Sequence, residues 1–172
     1  MNVGVVGHRY LDSDQTQFVQ ACCRSLLSRI SQNHNVVALT ALAEGTDTIF
    51  AEQALHLNLD LGVVLPFHNY VDDFQSKEAE QRFYRLKNAA TFEYRTDYVS
   101  RSDDAYLEAM NWIVDKSDLT IIAWSGKQYM GLRATERAVC RCTTSNKHWV
   151  HLDVHRLALN YRVGGDDARY YV

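Results

Sequence analysis

Proline is almost absent from this chain: Pro66 is the only one in 172 residues. Glycine is sparse, with eight. No segment reads as a linker, an internal repeat or a low-complexity tract, so one domain is expected at this length. No apolar run is long enough to span a membrane. The chain opens directly on a strand-like run, so no signal peptide is expected. A basic excess is missing too: 18 Lys and Arg stand against 21 Asp and Glu, a net charge of −3. General nucleic-acid binders are usually basic, so that role is not expected, although a local basic pocket is compatible with the balance. No C-x-x-C pair occurs. Cys22, Cys23, Cys140 and Cys142 all fall on predicted helices, where core packing is the expectation over metal or redox chemistry. A reducing cytoplasm suits them. There is no H-x-x-x-H or H-E-x-x-H. His148, His151 and His155 approach ligand spacing but straddle a strand end, so neither a metal nor a cofactor is expected. Neither G-x-G-x-x-G nor a P-loop pattern occurs, which argues against ordinary NAD or ATP binding.

What is present is a regular alternation. Hydrophobic residues make up 47% of the chain, enough for a substantial core. Apolar runs at 3–7, 36–39, 61–65, 119–124 and 148–154 read as buried strands, with a weaker one near 92–94. Between them lie amphipathic stretches. The first carries Phe18, Val19, Cys22, Cys23, Leu26, Leu27 and Ile30 at helical spacing, with Asp14 and Gln17 as an expected capping pair. Asp72 and Gln75 suggest a second such cap, for a helix reaching about Ala90. Another helix, 102–116, turns Tyr106, Met110, Ile113 and Val114 inward. The expectation is an α/β, Rossmann-like, doubly wound parallel sheet of about five strands in the order 3-2-1-4-5, with helices on both faces. The domain is expected over 1–155, with 156–172 as a C-terminal tail.

In such a sheet, ligands sit at the carboxyl ends of the strands, where strand order reverses. That rule selects Gly7, His8 and Arg9 after the first strand, and Glu44, Gly45 and Asp47 after the second. It selects Tyr70 and Asp73 after the third, and Ser125, Gly126, Lys127, Gly131 and Thr135 after the fourth. The last group is a strand, a glycine loop and a helix start, whose amides and positive helix end suit an anion. Lys127 and Arg133 add charge there. Each residue has a plainer reading as well. Arg9 suits a phosphate or a surface salt bridge. His8 suits a proton donor or a polar loop. Thr46 or Asp47 suits a helix cap, and Glu44 or Asp47 suits ribose hydroxyls or a base's role. Tyr70 suits stacking on a base or covering the core edge.

Gly7-His8-Arg9, then 42–47 (LAEGTD), then Val64-Leu65-Pro66 with Tyr70 and Asp73-Phe74, form one ordered set. The run 118–124 with Gly126, and then 131–139, continue it. From about Val3 to Leu152 this pattern resembles a bacterial, GHR-type branch of the SLOG superfamily, which includes the DNA-processing Smf proteins, Lonely Guy phosphoribohydrolases and molybdenum-cofactor carriers. The resemblance implies a Rossmann-like fold with a pocket for a nucleotide or nucleotide-derived ligand. Relatives include enzymes that cut the glycosidic bond of nucleoside monophosphates and predicted sensors of nucleotide signals.

One stretch departs from the pattern. The family's phosphate loop carries paired glycines before its threonine; here those positions are Arg133 and Ala134, before Thr135. The catalytic glutamate of the Lonely Guy pattern falls at Ala138, and the acid of the closer branch at Arg137. Only Glu136 is acidic, and each helical residue is turned about 100° from the next. The leading expectation is therefore a binding protein for a nucleotide or nucleotide-derived ligand, either a bare ligand holder or a sensor acting through a separate effector protein. The alternatives are a nucleotide N-glycosidase using Glu44 or Glu136, and a degenerate assembly domain. A homodimer is expected through the helix bearing Tyr106, Met110 and Ile113 and the Tyr170-Tyr171-Val172 end.

Overall fold

The fold was described from a computed structural model, which describes residues 1–126 and 134–162. The chain runs β1 (Asn2–Gly7), α1 (Ser13–Ser31), β2 (Val37–Thr40), α2 (Thr46–His56) and β3 (Asp60–Leu65). A 3₁₀ turn (Tyr70–Asp73) leads to α3 (Lys77–Asn88) and β4 (Phe92–Arg95). Then follow α4 (Asp103–Lys116), β5 (Leu119–Trp124), α5 (Ala134–Thr144), β6 (His148–Asp153) and β7 (Ala158–Arg162). The strands form one sheet in the order β4-β3-β2-β1-β5-β6-β7. Every pairing is parallel except the antiparallel β6–β7 pair.

The five central strands stand in the expected order, and each edge adds a strand. β4 extends one edge in parallel, pairing Gly62 to Phe92 and Leu65 to Arg95. β7 extends the other by a short return, which is why that pair alone is antiparallel.

Side-chain alternation splits the core into two layers. Val3, Val5, Ala38, Leu61, Val63 and Ile121 point to α1, α2 and α3, meeting Val19, Cys23, Leu27, Phe50, Ala54, Phe83 and Leu86. Val6 and Ile122 point the other way, to Met110 and Val114 of α4 and Ala138 and Cys142 of α5. Leu39 and Val64 meet Ala109 and Ile113 on that same side. The buried cysteines, Cys23 and Cys142, pack as small apolar groups, and the four cysteines are free thiols.

Three sequence expectations need correction. α1 is capped by Asp12, not Asp14: Gln15 N donates to Asp12 Oδ1 (2.9 Å), and Asp12 N donates to Gln15 Oε1 (3.1 Å). Asp14 instead lies in the first turn, beside the positive helix end. Asp72 and Gln75 do not cap a helix. Tyr70 and Phe74 both enter the core, so the chain makes a 3₁₀ turn and extends at Phe74; Ser76 then caps α3 by accepting from Ala79 N. Finally, Met110 and Ile113 are buried within the chain's own core, so they do not supply the spare apolar surface expected for a homodimer. The Tyr170-Tyr171-Val172 end lies outside the described residues. No helix among the described residues is long and apolar enough to cross a membrane.

Candidate functional site

The strand order reverses at β1, whose neighbours are β2 and β5. A cavity of about 630 Å³ opens beside this point. Gly7, Arg9 and Asp47 line it from the first two loops, Pro66 and Tyr70 from the third, and Tyr106 and Met110 from α4. Ala134 and Arg137 line it from α5.

The first two loops are interlocked. Thr46 N and Thr46 Oγ1 both donate to His8 O, at 3.1 and 3.0 Å. A Cβ on Gly7 would stand 2.5 Å from Thr46 Oγ1, so Gly7 is where α2 approaches β1. Gly45 caps α2 with φ of 82°, and a Cβ there would collide with Arg9 O. Both glycines are therefore explained by packing of one loop on the other. Neither Thr46 nor Asp47 caps α2 with its side chain.

Arg9 is held in place from two sides. Its Nη1 donates to Asp73 Oδ2 (2.8 Å), and its guanidinium lies 5.2 Å from the centre of the Tyr106 ring. Tyr106 OH donates to the same Asp73 Oδ2 (2.5 Å), and Arg101 Nη1 forms an ion pair with Oδ1 at 3.0 Å. Burial pushes the Asp73 carboxyl up, but the Tyr106 and Arg9 hydrogen bonds and the two arginine charges outweigh it and hold it below the usual carboxylate range. Burial works against charge on Arg9, yet Tyr70 and Asp73 raise its pKa overall. The guanidinium is therefore a fixed cation at the cavity rim.

Asp47 is a different carboxyl. It is 6% exposed, and its Oδ2 accepts from Ala41 N at 3.2 Å. Burial raises its pKa to about 7, against the Ala41 hydrogen bond and the Arg9 charge, which lower it. The cavity thus holds a permanent cation and an acid that titrates near neutrality.

Not all the predicted residues meet. Arg9, Asp47, Tyr70 and Gly7 converge on the cavity, although Tyr70 is only 2% exposed and packs edge-on to Phe67, Phe74 and Phe83. Asp73 stands behind Arg9. His8 lies between loops: its Nε2 accepts from Ser125 N at 3.1 Å, tying the β1 loop to the β5 loop. Ser125 and Gly126 line a second cavity instead. Glu44 is half-buried, and Thr135 and Glu136 are buried in the first turn of α5; none of these three lines either cavity. Lys127, Gly131 and Arg133 lie outside the described residues. The sequence reading missed Arg101, Tyr106 and Arg137 as site residues. Arg101 was within reach: once 92–95 is taken as a parallel strand, the loop after it also opens onto the carboxyl edge.

The fold itself is found in solved structures. DNA processing protein A from Streptococcus pneumoniae superposes with a TM-score of 0.64 at 15% identity, over 87% of this chain and 49% of that one. The protein of the same name from Helicobacter pylori gives 0.62 at 17%, over 88% of this chain and 64% of that one. The Moco carrier protein of Chlamydomonas rheinhardtii gives 0.52 at 15%, over 87% and 74%. The chain shares the Rossmann-like α/β fold of all three. At these identities the likeness extends to the fold alone. The chain spans about half the length of the S. pneumoniae protein and under two thirds of the H. pylori one. No family model and no curated protein matches the sequence.

On this fold the cavity lies at the carboxyl edge, and Arg137 is among its lining residues. In the sequence comparison position 137 corresponds to the acid of the closer branch, and Ala138, the position of the Lonely Guy glutamate, is buried. Glu136, just before Arg137, is buried and does not line the cavity.

Proposed function

We propose that the protein binds a nucleotide or nucleotide-derived ligand in the carboxyl-edge cavity, as a ligand holder or sensor and not as a hydrolase. One observation carries this reading: a cavity of about 630 Å³ combines mostly apolar walls with Arg9 fixed at its rim. An apolar slot suits a planar base, and an oriented guanidinium suits a phosphate. The hydrolase pattern's acid position is Ala138, which cannot serve as an acid, and Arg137 beside it lines the cavity. Two structural relatives support a ligand of this kind. The H. pylori protein is described by its single-stranded DNA binding mode, and the algal protein is a Moco carrier. The first also weighs against dismissing nucleic acid on net charge alone, so an oligonucleotide belongs in any test. A cytoplasmic location, a GHR-type bacterial lineage, a homodimer and a separate effector partner are parts of the same proposal.

The N-glycosidase alternative keeps one observation in its favour: Asp47, in the cavity, has the near-neutral pKa that a general acid needs. Calorimetric titration with nucleoside monophosphates, a phosphorylated pterin and a short single-stranded oligonucleotide tests binding. Chromatography of the same mixtures for free base tests cleavage. Saturable binding without base release supports the holder. Base release that disappears in Asp47→Asn would favour the enzyme, and no binding to any of the panel would end the proposal.

A further inference from the structure

A second cavity, of about 570 Å³, lies past β5, on the sheet face that α4 and α5 cover further in. Strand register builds it. Trp124 pairs with Asp153 and Asp153 with Ala158; His151 pairs with Asn160, and Trp149 with Arg162. Because side chains alternate along a strand, these residues share one face. The rings lie close together. Trp124 and His151 are 5.7 Å apart by centroid, Trp149 and His151 6.1 Å, and the Arg162 guanidinium lies 6.0 Å from the Trp149 ring.

His151 fixes the polarity of the cavity. Its Nε2 stands 3.0 Å from Trp124 O. A carbonyl oxygen only accepts, so Nε2 carries the hydrogen. Burial holds the imidazole pKa below its usual value, against the Trp124 carbonyl, which raises it. The ring is therefore neutral near pH 7 and Nδ1 is a lone-pair acceptor. The Asn160 amide, half-exposed on β7, supplies both a donor and an acceptor. Among the described residues no group of three His, Cys, Asp or Glu is placed to hold a metal ion. Trp124 is the partly exposed ring, with the buried Trp149 and His151 beside it. One aromatic surface, an acceptor and an amide in a cavity of this size fit a planar heterocycle that carries its own N–H donors and ring acceptors.

We propose that this second cavity, whose lining also includes Arg156 and Arg162, is a separate site for a planar, nucleobase-type heterocycle, bound by stacking on Trp124 and by amide hydrogen bonds. It does not depend on the ligand of the first cavity. The three tryptophans, Trp112, Trp124 and Trp149, give three indole N–H signals in a nitrogen-15 correlation spectrum, assignable by single Trp→Phe variants. Trp112 stacks on Tyr94, centroids 4.8 Å apart, outside the cavity lining, and serves as the internal control. Adenosine and guanosine, which lack phosphate, are the probes. At least one should shift the Trp124 and Trp149 signals saturably and leave Trp112 in place. Asn160→Ala, on a half-exposed strand position, should raise the midpoint at least fivefold, and Arg9→Ala should leave it unchanged. Absence of saturable shifts with both nucleosides overturns the proposal. So does a midpoint that moves with Arg9→Ala, or one that does not move with Asn160→Ala.

Discussion

Arg9 Nη1 and Asp73 Oδ2 are joined across 2.8 Å, linking the loop after β1 to the 3₁₀ turn after β3. The pair sits at the rim of the main cavity, with the Asp73 side chain almost fully covered and Arg9 about a third exposed. Removing the acid leaves a half-buried guanidinium short of its main partner. Asp73→Ala should lower unfolding stability by about 1–3 kcal/mol, below the range for fully buried pairs because Arg9 retains solvent. The pH dependence has a definite sign. A carboxyl whose folded pKa is depressed stabilises the native state above its unfolded pKa, about 4. That stabilisation fades as pH falls through the lower folded value. Urea titrations at pH 7 and pH 3 should therefore show a wide gap between parent and variant at the higher pH and a narrower one at the lower. An equal gap at both would mean that the ion pair contributes little.

The same geometry sets the expected effect of removing the arginine. Arg9→Ala should weaken binding of a nucleoside monophosphate by about 1.5–3 kcal/mol, the scale of a charge-assisted hydrogen bond. Asp73 would keep Tyr106 and Arg101, so the variant should still fold. Calorimetry on parent and variant, with circular dichroism as a check on folding, decides it. Unchanged affinity in a folded variant would reduce Arg9 to a structural clamp.

Much of this was legible in the sequence, for a physical reason. The five central strands are buried on both faces, so their apolar runs are nearly continuous and their order follows from crossover handedness. Carboxyl-edge placement then identified Arg9, Asp47 and Tyr70. The edges were harder. Phe92–Arg95 and Ala158–Arg162 are half-exposed strands with mixed polar residues, so neither shows the full hydrophobic signal. The first reads as a weak short strand, and the second lacks a strand's apolar alternation. Without a firm β4, the loop carrying Arg101 had no place in the site, and Tyr106 looked like one more inward residue of a helix. The α1 cap was ambiguous, since Asp12 with Gln15 and Asp14 with Gln17 have the same spacing. The partnership of Gly7 with Thr46 is long-range packing, which no local pattern encodes.

That partnership makes a prediction in the absence of any ligand. Gly7→Ala would place a methyl group 2.5 Å from Thr46 Oγ1 and 2.7 Å from Thr46 Cβ, so α2 must shift away from β1. Overpacking of this kind costs about 1–3 kcal/mol. Denaturant unfolding of the ligand-free protein should show a loss in that range. If stability is unchanged while ligand affinity drops, the glycine exists for the ligand's approach and not for the packing of the two loops.

The last prediction concerns Asp47, where burial works in the opposite direction to the forces on Asp73. The Asp47 pKa stands at about 7, above its unfolded value near 4. Between those two values the native state binds more protons than the unfolded chain, so stability falls as pH rises. The protonated acid is accommodated, and the ionised one is a buried charge whose nearest help is Ala41 N and the Arg9 field. Asn at this position can still accept from Ala41 N but does not ionise. Asp47→Asn should therefore flatten the fall in stability between about pH 5 and pH 8, and the variant should overtake the parent at the alkaline end. Other groups titrate in both proteins, so the quantity to follow is the difference in unfolding free energy between parent and variant at each pH. A difference that stays constant from pH 5 to pH 8 would show that Asp47 is ionised throughout. It would then be held in the cavity floor as a permanent anion, which would also weaken the case for a general acid at this position.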